Sequence, residues 1–264
     1  MTTRVAVIGA TGRLGSLVSR LVRESDDFEL VAELSSRSGL DAMLGADIAV
    51  DVSHPAVSGE IVEYAVENGL RVLVGTSGWS QERIGAITSR VTARDGAVVF
   101  IPNFSVGSVL GTRLATIAAR YFDSIEIVEA HHAGKVDSPS GTAVRTAELM
   151  TRARAELGPV DAPHTDQRAR GQQVASIPVH SLRVAGLLAS QQVVFGGRGE
   201  TLTIRHDTIS DESYEQGIML ALRAVREASG VTVGLDALLG LGSIGGEVPP
   251  APVDPRDTSD LVQD

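Results

Sequence analysis

In the first part of the chain, apolar residues come in short solid runs, each closed by a glycine or serine turn and followed by a stretch of helical spacing. Arg4 to Ile8 is the first such run and reads as a buried strand. It enters the turn Gly9-Ala10-Thr11-Gly12-Arg13-Leu14-Gly15, after which Leu14, Leu17, Val18, Leu21 and Val22 recur at helical spacing. Further strands are predicted at Phe28 to Leu34, Ile48 to Val52, Arg71 to Val74 and Ala97 to Ile101, with helices from about Ala56 to Asn68 and Gln81 to Ala93. Solid strands alternating with helices predict a parallel sheet joined by right-handed crossovers, with ligands at the carboxyl ends of the strands. The turns at Gly9, Ser35, Ser53 and Gly75 all fall at that edge. His54, standing before Pro55, reads as a turn or capping residue.

The pattern then changes. Ile125-Glu126-Ile127 and Thr201 to His206 alternate apolar with polar, so antiparallel strands with one wet face are expected. Between them lie a helix opening near Ser140 and a loop, Gly158 to Gln173, rich in proline, aspartate and glycine. A last helix, about Ser213 to Ala228, carries Ile218, Leu220, Ala221, Leu222 and Val225 at helical spacing. The expected architecture is α/β: a Rossmann-like parallel-sheet domain over 1–104 and 213–241, interrupted by an inserted α+β domain over 105–212. The segment 242–264 has no apolar period and is expected to be a disordered tail.

At 264 residues the chain has room for two cores, and its formal charge of -10 argues against nucleic acid or an anionic membrane as the main partner. There is no cysteine, which suits a reducing cytosol and excludes thiolate metal sites. The apolar run near the N-terminus is four residues long, too short for a signal-peptide core, and no later segment could span a bilayer. A soluble, cytoplasmic protein is expected.

The densest chemistry lies in Glu129 to Ala143, E-A-H-H-A-G-K-V-D-S-P-S-G-T-A. It gathers His131, His132 and Lys135 ahead of Pro139-Ser140-Gly141-Thr142, a helix start in which Ser140 can cap and the amides of Gly141 and Thr142 can face an anion. Of 23 cationic side chains all but Lys135 are arginine. Guanidinium stays protonated at any working pH, whereas an ammonium can release its proton, so Lys135 reads as a proton donor. The same lone lysine would also serve a Schiff-base lyase, and a non-catalytic dinucleotide sensor is a further alternative. A metal site from His131, His132 and Asp137 is disfavoured, because adjacent residues of an extended segment point to opposite faces.

These motifs resemble one family. E-A-H-H-A-G-K-V-D-S-P-S-G-T-A, with G-A-T-G-R-L-G, G-T-S-G, I-P-N-F-S and G-E-T-L-T-I-R-H-D, is similar to the 4-hydroxy-tetrahydrodipicolinate reductases of lysine and diaminopimelate biosynthesis, from about Arg4 to Leu241. The resemblance implies NAD(P)H-dependent reduction of 4-hydroxy-tetrahydrodipicolinate, a small dicarboxylate, with loss of water. It implies His131 as acid/base, Lys135 as proton donor, and His132, Lys135, Gly141 and Thr142, with Ser140 at the helix start, as substrate contacts. Cofactor contacts are implied at Gly9, Ala10, Thr11, Gly12, Arg13 and Leu14, at Gly75, Thr76 and Ser77, and at Ile101, Pro102, Asn103 and Phe104. A homotetramer joined through the sheet of the second domain is also implied. Leu14 and Ile101 depart from the methionine and alanine common in the family, both apolar exchanges, and Ser190 departs from a histidine without an evident consequence. After the second strand, where an acid would read an adenosine ribose, stand Ser35-Ser36-Arg37-Ser38, with Glu33 expected to lie short of the ribose. Ser35 and Arg37 suit a 2′-phosphate, so NADPH is the expected cofactor, with NADH also used.

Overall fold

The computed structural model describes residues 2–241. The tail expected over 242–264 lies outside the described residues. The chain divides into two compact units, 2–105 with 214–239, and 106–213. In chain order the first unit supplies β1 (Thr3–Ile8), α1 (Arg13–Glu24), β2 (Phe28–Leu34), β3 (Ile48–Asp51), α2 (Pro55–Glu67), β4 (Arg71–Val74), α3 (Gln81–Ala93) and β5 (Ala97–Phe100). The second supplies α4 (Val106–Ala118), β6 (Ser124–His131), α5 (Gly141–Ala153), β7 (Gln172–Val174), β8 (Ile177–Arg183), β9 (Ala189–Gly197) and β10 (Glu200–Thr208). The chain then returns to the first unit with α6 (Glu215–Glu227), β11 (Gly230–Val233) and α7 (Leu235–Leu238). This is the Rossmann-like sheet with an inserted α+β unit that the sequence pattern predicts.

The six strands of the first sheet run parallel in the order β11-β5-β4-β3-β1-β2. Val5, Ala6, Val7, Ile48, Ala49, Val50 and Val72 are wholly buried, which is why these strands read as unbroken apolar runs: both faces of the sheet are covered. The chain passes from β1 out to β2 and then back across β1 to β3. Strand order therefore reverses between β1 and β3, whose carboxyl ends at Gly9 and Val52 form the switch point at which sheets of this kind take ligands. His54 caps α2, its Nδ1 accepting from the Ala56 amide at 3.3 Å.

The five-stranded sheet of the second unit has the order β10-β9-β6-β8-β7. Its strands are not all antiparallel as expected. β6 is antiparallel to β9 but parallel to β8, because the chain between them runs through α5 and a long loop instead of a hairpin. On one face Ile125, Ile127, Val193 and Phe195 form a core with Ala143, Ala147 and Met150 of α5. Six elements have no counterpart among those the sequence pattern predicts: α4, β7, β8, β9, β11 and α7. The helix expected from about Ser213 is α6, which opens at Glu215. Among the described residues, no helix is long and apolar enough to cross a membrane.

Candidate active site

The histidine-lysine stretch occupies the end of β6, the turn after it and the start of α5. Alternation along β6 places Ile125, Ile127 and Glu129 on one face, and all three are fully buried. A carboxylate thus stands where the pattern calls for an apolar side chain, and it must be met by donors. Strand register supplies them, since β8 sets Ser181 opposite Glu129 and Arg183 opposite His131. Arg183 donates to both Glu129 oxygens, at 3.1 and 3.0 Å, and the Ser140 amide donates to Oε1 at 3.2 Å. His131 Nδ1 lies 2.6 Å from Oε2. Burial works against the Glu129 charge, but hydrogen bonds from Arg183, Ser181 and His131 outweigh it and hold the carboxyl below its ordinary range. Burial also pushes the His131 pKa down; Glu129 opposes this, while the charges of Lys135 and Arg183 add to it.

After His131 the chain turns, with the Lys135 amide donating to the His132 carbonyl at 3.1 Å. Lys135 Nζ lies 2.6 Å from Asp137 Oδ1. Burial would raise the Asp137 pKa, but the hydrogen bond and charge of Lys135, with its own amide and that of Gly141, hold it low. Ammonium and helix-start amide therefore converge on one carboxylate, the arrangement that a helix N-terminus offers any anion. A Cβ placed on Gly141 would meet nothing within 4 Å, so this corner is open. His132 is exposed and Thr142 half-buried. Ser140 is buried and caps α5 as expected: its hydroxyl accepts from the Ala143 amide at 3.3 Å, and its own amide donates to Glu129.

Neither Glu129 nor Arg183 stands among the residues expected from sequence. Glu129 could have been found as an acid in register with Ile125 and Ile127. Arg183 is 54 positions away and is brought in only by strand pairing.

In the first unit the expected cofactor residues line the carboxyl edge of the sheet. Gly9 has φ +88°, a conformation that favours glycine, and a Cβ there would lie 2.6 Å from the Val52 carbonyl. A Cβ on Gly15 would fall 2.1 Å from the Gly9 carbonyl, so α1 seats directly on the turn. Its N-cap, Gly12, has no side chain to offer the first turn, and that turn contains no acid. Ala10 is buried, Thr11 and Arg13 are exposed, and Leu14 is half-buried. This cradle fits a dinucleotide pyrophosphate: backbone can approach closely and the positive end of the helix faces outward.

The neighbouring turns are built from main chain. The Gly75 amide donates to the Asp51 carbonyl at 2.8 Å, and a Cβ on Gly75 would lie 2.6 Å from the Phe104 ring. Thr76, Ile101 and Phe104 are buried, so a ligand could reach little beyond their backbone, while Ser77 and Pro102 are exposed and Asn103 Oδ1 accepts from the Ser105 amide. After β2, the Ser35 amide donates to Ser38 Oγ at 3.1 Å and the Arg37 amide to Ser35 Oγ at 3.3 Å. The Arg37 side chain is exposed, and Glu33 pairs with Arg23.

A glycine-turn α/β unit, followed in the same chain by a carboxylate-binding corner with a lysine and an imidazole, is the build of an NAD(P)H-dependent oxidoreductase. The chain belongs to the dihydrodipicolinate reductase family: the model of that family's N-terminus matches residues 3–104 and the model of its C-terminus residues 107–239. It is 63% identical over 263 residues to the 4-hydroxy-tetrahydrodipicolinate reductase of Clavibacter michiganensis subsp. michiganensis, covering 96% of this chain and 95% of the relative. With that of Streptomyces coelicolor it shares 45% over 245 residues, 90% of this chain and 98% of the relative. Among solved structures it resembles a dipicolinate-bound dihydrodipicolinate reductase from Paenisporosarcina sp. TG-14, with a TM-score of 0.78, 29% identity, and coverage of 90% of this chain and 99% of that one.

Proposed function

We propose that the chain reduces 4-hydroxy-tetrahydrodipicolinate to tetrahydrodipicolinate with loss of water, as a cytoplasmic step of lysine and diaminopimelate biosynthesis. One observation carries this reading: Lys135 and the Gly141 amide converge on a carboxylate, that of Asp137, and a cyclic dicarboxylate presents the same group. The substrate carboxylate competes for these contacts, with His132 and Thr142 completing its surround. The first unit takes the dinucleotide, its pyrophosphate on Gly9 to Leu14 and the remainder along Gly75 to Ser77 and Ile101 to Phe104. When bound, the nicotinamide supplies hydride. Lys135 supplies a proton to the substrate, and His131, kept neutral by burial, exchanges one as acid/base. The balance is one hydride and one proton taken up and one water released.

NADPH is the preferred cofactor, read by Arg37 and the Ser35 turn, and NADH is a slower alternative. The second unit also carries the tetramer contact. Its sheet packs α5 on one face, while the other presents Val128, Ala130, Leu182 and Val194, of which Leu182 is 43% exposed. A second copy of this chain covers that face, and light scattering at assay concentration would read a tetramer mass.

The test of the reaction is NADPH absorbance followed with the product of the preceding synthase. No oxidation with that substrate would overturn the assignment. A borohydride-trapped adduct at Lys135 would point instead to Schiff-base chemistry.

A further inference from the structure

Glu129 takes no part in the reaction as just described, yet it is the most heavily solicited side chain of the site. Oε2 faces His131 Nδ1 at 2.6 Å and one Arg183 nitrogen at 3.1 Å; Oε1 faces the other Arg183 nitrogen at 3.0 Å and the Ser140 amide at 3.2 Å. Arg183 reaches onward to the Asp137 carbonyl. An ionised carboxylate has no proton to give, so in the Glu129–His131 contact Nδ1 must be the donor, and the basic nitrogen of the ring is Nε2.

We propose that Glu129, clamped by Arg183, is the positioning residue of this site: it fixes His131 as the Nδ1-protonated tautomer and, through Ser140, holds the opening of α5 from the same carboxylate. The imidazole and the amides of Gly141 and Thr142 are thereby set from one buried point. The proposal rests on the reading of His131 as acid/base. Arg183 is needed for two reasons. A fully buried glutamate beside an imidazole, without a third charge, would compete with the ring for one proton. The guanidinium keeps the negative charge on Glu129, and its own charge discourages a second proton on His131.

A glutamine at 129 cannot reproduce this. Five donors face Glu129, the Ser181 hydroxyl among them, and an amide has one accepting oxygen and a donating NH2. If the NH2 faces His131, the ring must switch to the Nε2-protonated tautomer. If it faces Ser140, the start of α5 loses its anchor and meets a second donor.

The test is long-range proton–nitrogen NMR of the labelled full chain, with the His131 signals assigned by their absence in His131→Gln. The wild type is expected to show the Nδ1-protonated tautomer near neutral pH. In Glu129→Gln the tautomer is expected to shift and kcat to fall on the order of a hundredfold, with the KM for NADPH unchanged. A wild-type ring protonated on Nε2 overturns the proposal, and that measurement needs no variant to fold. A Glu129→Gln enzyme with the wild-type tautomer and kcat overturns it equally. Full turnover in His131→Gln would instead remove the acid/base reading, so the two failures are told apart.

Discussion

Lys135 Nζ lies 2.6 Å from Asp137 Oδ1, so the single lysine of the chain is held by a carboxylate that also receives the Gly141 amide. The pair places the ammonium at the open start of α5, where a ligand carboxylate would exchange with Asp137. An arginine could make the same ion pair but could not give up its proton. Lys135→Arg is expected to lower kcat by roughly a hundred- to ten-thousand-fold while KM for the dicarboxylate changes far less. Steady-state kinetics with kcat near the wild type would exclude Lys135 as the proton donor.

Two glycines separate binding from stability. At Gly141 a methyl group meets nothing within 4 Å, and alanine favours a helix, so Gly141→Ala should leave the melting temperature unchanged or slightly raised. The methyl enters the carboxylate corner, and KM for the substrate should rise. At Gly15 the methyl would lie 2.1 Å from the Gly9 carbonyl, main chain that cannot swing aside, so Gly15→Ala should cost about 1–3 kcal/mol or more and weaken dinucleotide binding. Equal melting temperatures for the two variants would contradict this packing.

Much of the first unit is legible in the sequence because its signals are local. β2, β4 and α3 begin and end where apolar runs and turn residues place them. The second unit is less legible. Val106–Ala118 forms α4 although Gly107 and Gly111 interrupt it and Leu114 stays 53% exposed, so its pattern is weak. β8 contains Pro178 and β9 the run Ser190-Gln191-Gln192, neither of which alternates cleanly. In the site, the histidines and Lys135 announce themselves by type. Glu129 hides as a polar residue in a strand, and Arg183 joins it only through pairing of β6 with β8, which no spacing along the chain reports.

The half-buried imidazoles set the response to acid. Burial lowers the pKa of both His131 and His206 from the ordinary 6.5. Between each folded value and 6.5 the unfolded chain binds more protons than the folded one, so stability is present above about pH 6.5 and declines as pH falls through that window. The carboxyls of Glu129 and Asp137, held low, add a second decline below about pH 4.5, where the unfolded chain again takes up protons first. The melting temperature should therefore fall steadily on acidification from about pH 7, and His206→Gln should flatten the first part of the fall. A melting temperature that rises between about pH 7 and 6 would reverse the sign of these shifts.

On the proposed reading, choice of nicotinamide turns on the residues after β2. A carboxylate there would hydrogen-bond both ribose hydroxyls and repel a 2′-phosphate, favouring NADH. Glu33 is the nearest acid, and it is already paired with Arg23. Beyond it, Ser35 and Ser38 knit a tight turn in which each hydroxyl accepts from a backbone amide and keeps its own O–H to donate. Arg37 stands exposed on that turn, free to swing over a phosphate dianion. Hydrogen bonds to a charged group contribute about 1.5–3 kcal/mol, roughly ten- to a hundredfold in affinity. Arg37→Ala should thus raise Kd for NADPH by about that factor and leave NADH within about twofold. The loss should shrink at high salt, since an exposed guanidinium is screened. Isothermal titration with both cofactors checks it. Equal weakening of the two, or a wild type that binds NADH more tightly, would show that this turn does not read the phosphate.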